Sequence, residues 1–552
     1  MSTESAGHTP ASKSAWMGLL AISLGVSLVV VDFTIVNVII PPIITDLSIS
    51  SVDAQWIQES YAIALAALLL VMGRLSDIVG ARKLFLIGTV AFGFASILAA
   101  IAPNGEILIA ARLAQGIGGS IVLPTSIALL NATFQGRDRG KAFAIWGSTI
   151  GAAAAVGPLL GGWLGEYSWR WAFGINIFVV VLIIVGVLFY LSKSQTESGR
   201  LDIIGSALSV FGLGMLAFGL IEGRNYGWWV STRESGPLGI SLENLSVIPV
   251  ALVVSLVSLG LFLERQRRLT RTRQPEPLMD TELFSIRSFT SGNLATLIIG
   301  LAEFGILAVL PLWLQFTLDY STLQTGLMIA VVAAGSFFAS GASFGMAEKS
   351  TPVRLVQVGL VLEAAGLLVF GFLARPDSSW WIIAVGLFVY GTGVGFATAQ
   401  VTNVVLVDVP PWKAGQGSGI QSAARQLGSA LGIAVLTTTF FSVLTSNMAD
   451  RMSSNESDAQ SNQSLVDAVS SSGGAAIHSL SENPATSAAA EAAREAMTRA
   501  IQINGYTCAG LLLLGLFATL LIPKTSGTPV ESDSETSIGE DTRNTAPTNT
   551  HD

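Results

Sequence analysis

The apolar residues of this chain fall into long runs, separated by short polar or Gly/Pro-containing breaks. A helix needs about 20 predominantly apolar residues to cross the hydrocarbon core of a bilayer. Fourteen runs suit that role, near 15–43, 55–74, 83–102, 106–131, 140–165, 171–192, 202–221, 245–263, 290–316, 323–346, 353–373, 380–406, 417–445 and 502–522. In lipid every backbone N–H and C=O within such a run must be satisfied internally, so the pattern predicts helices. The period-two alternation of a membrane barrel does not occur along the chain. The predicted fold class is an all-α membrane protein. The longer polar segments are tails at 1–14 and 523–552, a stretch around 222–244, a basic cytoplasmic linker at 265–289 and a long external loop at 446–500. The C-terminal tail is acidic and Ser/Thr-rich, a composition that favours disorder. The second part of 446–500 reads SAAAEAAREAMTRA and suits a short helix lying on the outer face, with a solvated linker as the alternative.

Composition strengthens this picture. Charged residues make up 12% of the chain and hydrophobic ones 51%, whereas a soluble globular chain carries about 25% charged residues. The positions of the charges orient the spans. With the N-terminus cytoplasmic, only Arg170, Arg224, Arg233, Arg375, Arg451, Arg494 and Arg499 fall outside. Arg112 and Arg425 sit within spans, and every other Lys and Arg is inside. Positive charge accumulates on the cytoplasmic side of membrane proteins, so both termini are expected there and the span count is even. No cleavable signal peptide is evident, because the first apolar run is too long for one.

Little chemistry is available besides carboxylates. The one cysteine, Cys508, cannot form an internal disulfide and has no metal-ligand spacing. His8, His478 and His551 lie outside the apolar runs. A proton carried across the membrane therefore has to use Asp or Glu. Gly136-x-x-x-Gly140-Lys141 has the wrong spacing for a phosphate-binding loop and is followed by Ala. With no metal cluster or nucleophile–base arrangement either, an enzyme or an ATP-driven pump is not expected.

Several motifs stand out. After the second run the chain reads Gly73-Arg74-Leu75-Ser76-Asp77-Ile78-Val79-Gly80-Ala81-Arg82-Lys83. Small residues permit a tight turn between helices, Asp77 can accept hydrogen bonds from a helix N-terminus, and Arg82 and Lys83 hold the segment at the headgroups. A degenerate copy near 344–354 places Glu348 opposite Asp77, and both copies lead into a glycine, Gly88 and Gly359. Asp32 lies deep in the first run, in Asp32-Phe33-Thr34-Ile35-Val36-Asn37, ahead of Pro41. A carboxylate inside a membrane span is costly to insert and is a functional candidate by default. Removal from water favours its neutral form, which suits a group that takes up and releases a proton; a structural Asp capped by hydroxyls is the alternative. Glu59, beside Tyr61 at the start of the second run, is a second candidate acid or an interfacial, solvated one. Arg112, with Gln115, Gly116 and Pro124, lies within the fourth run and needs an anionic partner, for which Asp32 is the leading candidate.

The fifth run carries Gly147, Gly151, Gly157-Pro158 and Gly161-Gly162. Small residues four apart admit a neighbouring helix closely, and a proline removes a backbone bond and kinks a helix. In the second half of the chain, Glu303 and Glu363 lie inside runs, and Gln315 follows at the end of the ninth. Either glutamate can bind a cationic substrate or a proton, or be held structurally. Arg425 in the thirteenth run again requires a partner within the bundle.

Together these residues resemble the major facilitator superfamily and, within it, the fourteen-span drug:proton antiporters. The resemblance covers nearly all of 15–522. It rests on Asp32, Thr34, Asn37 and Pro41, on 73–83, on Arg112, Gln115, Gly116 and Pro124, and on Gly147 through Gly162. It implies a six-helix bundle at 15–192, two inserted helices within 193–264 and a second bundle at 290–522. It also implies alternating access, with Asp32, Arg112 and Glu59 in proton coupling. Glu59, Glu303, Glu363, Asn37, Tyr61 and Gln315 are the candidate substrate contacts. Gly73, Asp77, Gly80, Arg82, Lys83, Gly157, Pro158, Gly161 and Arg425 are candidate conformational residues. Two departures are present. The start of the thirteenth run has Gln421, Arg425 and Gln426 where some cation exporters of the family have acids, which weighs against divalent cationic drugs. The second loop copy lacks its first glycine.

The expected activity is proton-coupled export of amphipathic, cationic drugs from the cell, in a cell or inner membrane. The energy source is the proton gradient, and no cofactor or metal is expected. The expected partners are small-molecule cargo, protons and the bilayer, not nucleic acid, with a monomer as the working unit. One alternative is export of a dedicated endogenous metabolite or lipid. Another is a non-transporting scaffold or sensor that recognises partners through 446–500, although such a protein gains nothing from the insertion cost of its buried charges.

Overall fold

A computed structural model describes residues 12–49, 51–194, 196, 199–231, 245–272, 277–346, 350–453 and 459–522. Fourteen helices among the described residues are long and apolar enough to cross a membrane. The first six are α1 (Lys13–Leu47), α2 (Ser51–Val79), α3 (Ala81–Ala100), α4 (Gly105–Thr133), α5 (Gly136–Gly165) and α6 (Arg170–Tyr190). The inserted pair is α7 (Ile203–Tyr226) and α8 (Val247–Thr272). The second half is built from α9 (Arg287–Phe316), α10 (Thr322–Met346), α11 (Pro352–Leu373), α12 (Trp380–Leu406), α13 (Ala414–Ser453) and α16 (Ser487–Leu520). The short helices α14 (Ala459–Ser471) and α15 (Ala476–Glu482) precede α16.

Local sequence sets many of the starts. Ser12, Asn104, Asp202 and Thr351 each accept a backbone N–H of the first turn of α1, α4, α7 and α11, supplying partners that the open helix ends lack. Pro352 follows Thr351 at the first turn of α11, where its missing N–H costs nothing.

Within each half the helices approach to backbone contact. Lipid gives no hydrophobic drive between helices, so close packing through small residues is what holds them. A Cβ at Gly428 of α13 would lie 2.0 Å from the Leu297 carbonyl oxygen of α9, and one at Gly432 would lie 2.1 Å from that of Leu301. Gly88 of α3 abuts Ile121 of α4, and its counterpart Gly359 of α11 abuts Ala397 of α12, so the two loop copies lead into equivalent helix contacts. Large apolar side chains such as Phe94, Phe189, Leu256 and Phe372 point outward, as suits a chain solvated by lipid. The inserted pair packs through α7 onto α2 and α13: Trp56 stacks on Phe218, and Leu220 clusters with Ala430 and Ala434.

Several elements differ from their sequence reading, because apolar length marks the hydrocarbon slab and not the end of the helix. Residues 73–79 belong to α2, and the turn shrinks to Gly80, with φ at +93°, a region that glycine enters at no steric cost. Arg265 to Arg271 form the last turns of α8 and are not linker. The 446–500 segment is mostly helical among the described residues: α13 runs to Ser453, α14 and α15 follow, and SAAAEAAREAMTRA is the first part of α16, continuous with the last span. It is therefore not a separate helix lying on the outer face. Its Ala, Glu, Arg and Met are strong helix formers. Val466, Val469, Ile477, Ala493 and Met497 are buried against the second half, and Trp313 Nε1 donates to Thr498 Oγ1 at 3.0 Å. α5 remains a single helix through Pro158. Glu348, residues 1–11 and residues 523–552 lie outside the described residues, and 12–14 of the expected N-terminal tail instead cap and open α1.

Candidate proton-coupling and gating sites

Asp32 and Arg112 form an ion pair in which both side chains are fully buried. Arg112 Nη1 donates to Asp32 Oδ2 and also to Gln115 Oε1 at 2.8 Å. The other carboxylate oxygen, Asp32 Oδ1, accepts from Gln115 Nε2 at 3.0 Å and from Asn176 Nδ2 at 2.7 Å. Ser96 Oγ accepts from Gln115 Nε2 at 2.8 Å and donates to the Phe92 carbonyl at 2.9 Å. Four helices, α1, α3, α4 and α6, therefore converge on one carboxylate. Arg112 also donates through Nε to the Ile57 carbonyl at 3.1 Å, and its guanidinium lies 4.3 Å from the centre of the Tyr61 ring. Such a cation–π contact strengthens when desolvated. This set of donors suits an ionised Asp32. A proton on it would remove an acceptor from at least one donor and leave Arg112 buried without its counter-charge, an expensive state.

Tyr61 is enclosed here, its hydroxyl donating to the Val29 carbonyl at 3.1 Å. The structure thus brings it into the charge cluster, not into a cavity open to cargo. Asn176 and Ser96 belong to the cluster, yet sequence reasoning did not single them out. An amide within the apolar 171–192 run was a usable signal; a mid-span serine was not. Glu59 is half-buried on α2, and Gln315 is half-buried near the end of α9. The side chain of Asn37 lies outside the described residues.

A second assembly joins the halves. Asp77 Oδ1 accepts the Gly415 N–H at 2.7 Å, and Oδ2 accepts the Gln416 N–H at 2.9 Å. These groups open α13, where the helix dipole favours an anion. Gly73 makes this possible by its size: a Cβ there would lie 2.7 Å from the Gly415 carbonyl oxygen and from the Gly419 Cα. Arg139 Nε donates to Asn403 Oδ1 at 2.9 Å, Gln400 Nε2 to the Gly140 carbonyl at 3.2 Å, and Ser418 Oγ to the Pro124 carbonyl at 3.0 Å. All of these bonds lie toward the membrane face that carries the Gly80 turn, so the halves are latched together there. Arg82 works within its own half, donating to the Leu188 carbonyl at 3.0 Å near the end of α6, while Lys83 is exposed. Gly157 and Gly161 seat α5 on α1: a Cβ at Gly157 would meet the Thr34 side chain, and one at Gly161 would lie 2.9 Å from the Ile35 carbonyl oxygen.

The inserted helices connect to this latch. Lys413 pairs with Asp280, whose N–H donates to Gln416 Oε1 at 3.1 Å. The neighbouring Met279 N–H donates to Gln266 Oε1 at 3.1 Å, and Gln266 Nε2 donates to Asp202 Oδ2 at 3.0 Å. Burial pushes the Asp202 carboxyl up, but hydrogen bonds from Arg265, the Gly205 N–H and Gln266 outweigh it and hold the group below the usual carboxylate range. Asp46, exposed beyond the first span, is likewise held down by hydrogen bonds from Arg170 and Trp169.

In the second half, Arg425 Nη2 donates to Glu303 Oε2 at 2.8 Å, which supplies the partner its position demanded. Both side chains keep partial exposure. Glu363 is fully buried on α11.

The fold, the spans and these sites define a membrane transporter of small molecules. The Major Facilitator Superfamily model matches residues 22–433, and the chain belongs to that family. It is 32% identical over 459 residues to the puromycin resistance protein pur8 of Streptomyces alboniger, covering 81% of this chain and 86% of that protein. It is 31% identical over 431 residues to the multidrug resistance protein Stp of Mycobacterium tuberculosis, with 77% and 76% covered. The multidrug efflux pump LfrA of Mycolicibacterium smegmatis is 30% identical over 449 residues, with 81% and 84% covered. Among solved structures, the proton:xylose symporter XylE superposes with a TM-score of 0.60 at 13% identity, covering 94% of this chain and 98% of that one. At that identity the likeness is one of fold.

Proposed function

We propose that this chain is a proton-driven exporter of amphipathic, cationic drugs or toxic compounds, working by alternating access in the cell membrane with both termini cytoplasmic. The observation that carries the reading is the fully buried Asp32, held by Arg112, Gln115 and Asn176, in a chain similar to drug-resistance and efflux proteins. Proton arrival at Asp32 breaks the balance with Arg112 and favours rearrangement of α1 against α4. Return of the carboxylate restores it. The proton gradient is the energy source, without cofactor or metal, and one chain suffices.

The latch through Asp77 closes the face that bears the basic loops. With that face cytoplasmic, the conformation described is closed toward the cytoplasm, as an antiporter must be when it releases cargo and loads protons outside. The acids that a cationic cargo can meet are Glu59 and Glu303, both only partly buried.

The test is a purified transporter in proteoliposomes with an imposed pH gradient, challenged with lipophilic cations and neutral drugs. Substrate movement that collapses the gradient is the expected result, and substrate movement independent of the gradient would refute the reading. A second reading, export of a self-made antibiotic, draws support from the similarity to a probable actinorhodin transporter of Streptomyces coelicolor, 31% identical over 447 residues. Metabolite profiling of a deletion strain separates the two.

A further inference from the structure

Among the described residues, Glu363 is the one fully buried acid of the second half, and neither the latch nor cargo access explains it. Its side chain is fully buried, and neither carboxylate oxygen has a hydrogen-bond partner among the described residues. Its stem lies in the notch left by Gly393 of α12, where a Cβ would approach Glu363 Cγ to 2.7 Å. The groups that face it from the surrounding helices are Glu303 of α9, Arg425 of α13, Tyr390 of α12 and Cys508 of α16, all within electrostatic range. The Tyr390 hydroxyl is itself buried without a partner among the described residues. Arg425 is therefore the one cation facing Glu363, and it is committed to Glu303.

Two carboxylates that share a single arginine cannot both be ionised in such surroundings, because an unpaired buried charge is far more costly than a neutral acid. The two halves repeat this theme. Each places an acid on its first helix in contact with an arginine, Asp32 with Arg112 and Glu303 with Arg425. The first half then surrounds its acid with neutral donors, whereas the second sets another acid nearby.

We infer that Glu363, beside the Glu303–Arg425 ion pair, is part of a second proton-binding site, distinct from Asp32, in which one of the two carboxyl groups holds a proton and Arg425 compensates the one that is ionised. In the conformation described, Glu363 carries the proton. Under the proton-driven reading above, on which this consequence rests, the transporter exchanges two protons per cycle.

The experiment has two readouts. Infrared spectroscopy of the purified protein at neutral pH reports the C=O stretch of protonated carboxyl groups without requiring transport. The wild type should show such a band, E363Q should lose it, and E303Q should lose it too, because Arg425 is then free to pair with an ionised Glu363. An unchanged band in both variants overturns the site. In proteoliposomes clamped at zero membrane potential, each coupled proton supports a tenfold substrate gradient per pH unit, since one unit is worth 1.36 kcal/mol. The wild type should reach about a hundredfold and E363Q about tenfold. A wild-type limit of about tenfold overturns the two-proton cycle. A wild type that moves no protons at all refutes the proton-driven reading instead, and the infrared band then still decides whether the site exists.

Discussion

Asp77 of α2 accepts the backbone N–H of Gly415, the second residue of α13, at 2.7 Å. One carboxylate thus closes the first half onto a helix start of the second, and Gln416 adds a second bond at 2.9 Å. Hydrogen bonds to charged groups contribute roughly 1.5–3 kcal/mol. Asp77→Asn keeps the size, but loses the charge and one acceptor. We expect it to shift the population toward the state open on that face. A cysteine placed at Ser418, in a background lacking Cys508, would report the shift through faster labelling by a membrane-impermeant thiol reagent added from that side.

Gly73 tests the same latch sterically. Its missing Cβ would lie 2.7 Å from two backbone atoms of α13, and backbone cannot yield as a side-chain tip can. Gly73→Ala should hold the halves apart and abolish efflux, while Lys83→Ala, at an exposed position, should leave efflux nearly intact. Equal activity of the two variants at equal membrane abundance would refute the close-approach role.

The Asp32 cluster separates coupling from folding. Asp32→Asn keeps a hydrogen-bonding group beside Gln115 and Asn176, so the protein should reach the membrane but lose gradient-driven efflux. Arg112→Ala strands a buried carboxylate, and breaking a buried pair in this way costs about 3–5 kcal/mol. Its thermal stability in detergent should fall below that of the wild type, as should that of Asp32→Asn, which strands Arg112, and the double variant should recover part of the loss.

Asp202 gives a pH signature outside the membrane. Its folded-state carboxyl lies below the ordinary value, so the stabilisation it contributes is fully present above the unfolded value of about 3.9. That contribution is lost as pH falls through the folded value. Asp202→Asn should therefore melt below wild type at neutral pH, with the gap closing under acid conditions. A gap that widens with acid would contradict the assignment.

How far these sites were legible in sequence depends on the kind of signal. Asp32, Arg112 and Arg425 announce themselves because a charge in an apolar run is rarely tolerated without a partner, and the pairing of Arg112 with Asp32 followed from that alone. The helix-capping role of Asp77 was readable from its setting, but Gly415 as its partner was not, since 338 residues separate them. Asn176 and Ser96 are ordinary polar residues until the fold aims them at Asp32. Gly73 was read as a turn residue, but the turn belongs to Gly80 and Gly73 serves an approach between halves.

By itself the sequence determined the number of spans, the placement of buried charge and the likeness of the two halves, because the cost of polar groups in lipid acts locally on each run. Tertiary structure decided which acid meets which arginine, that Asp77 latches α2 to α13, and that Glu363 is left without a partner among the described residues. Those outcomes depend on how helices distant in sequence approach one another, which residue-by-residue burial costs do not encode.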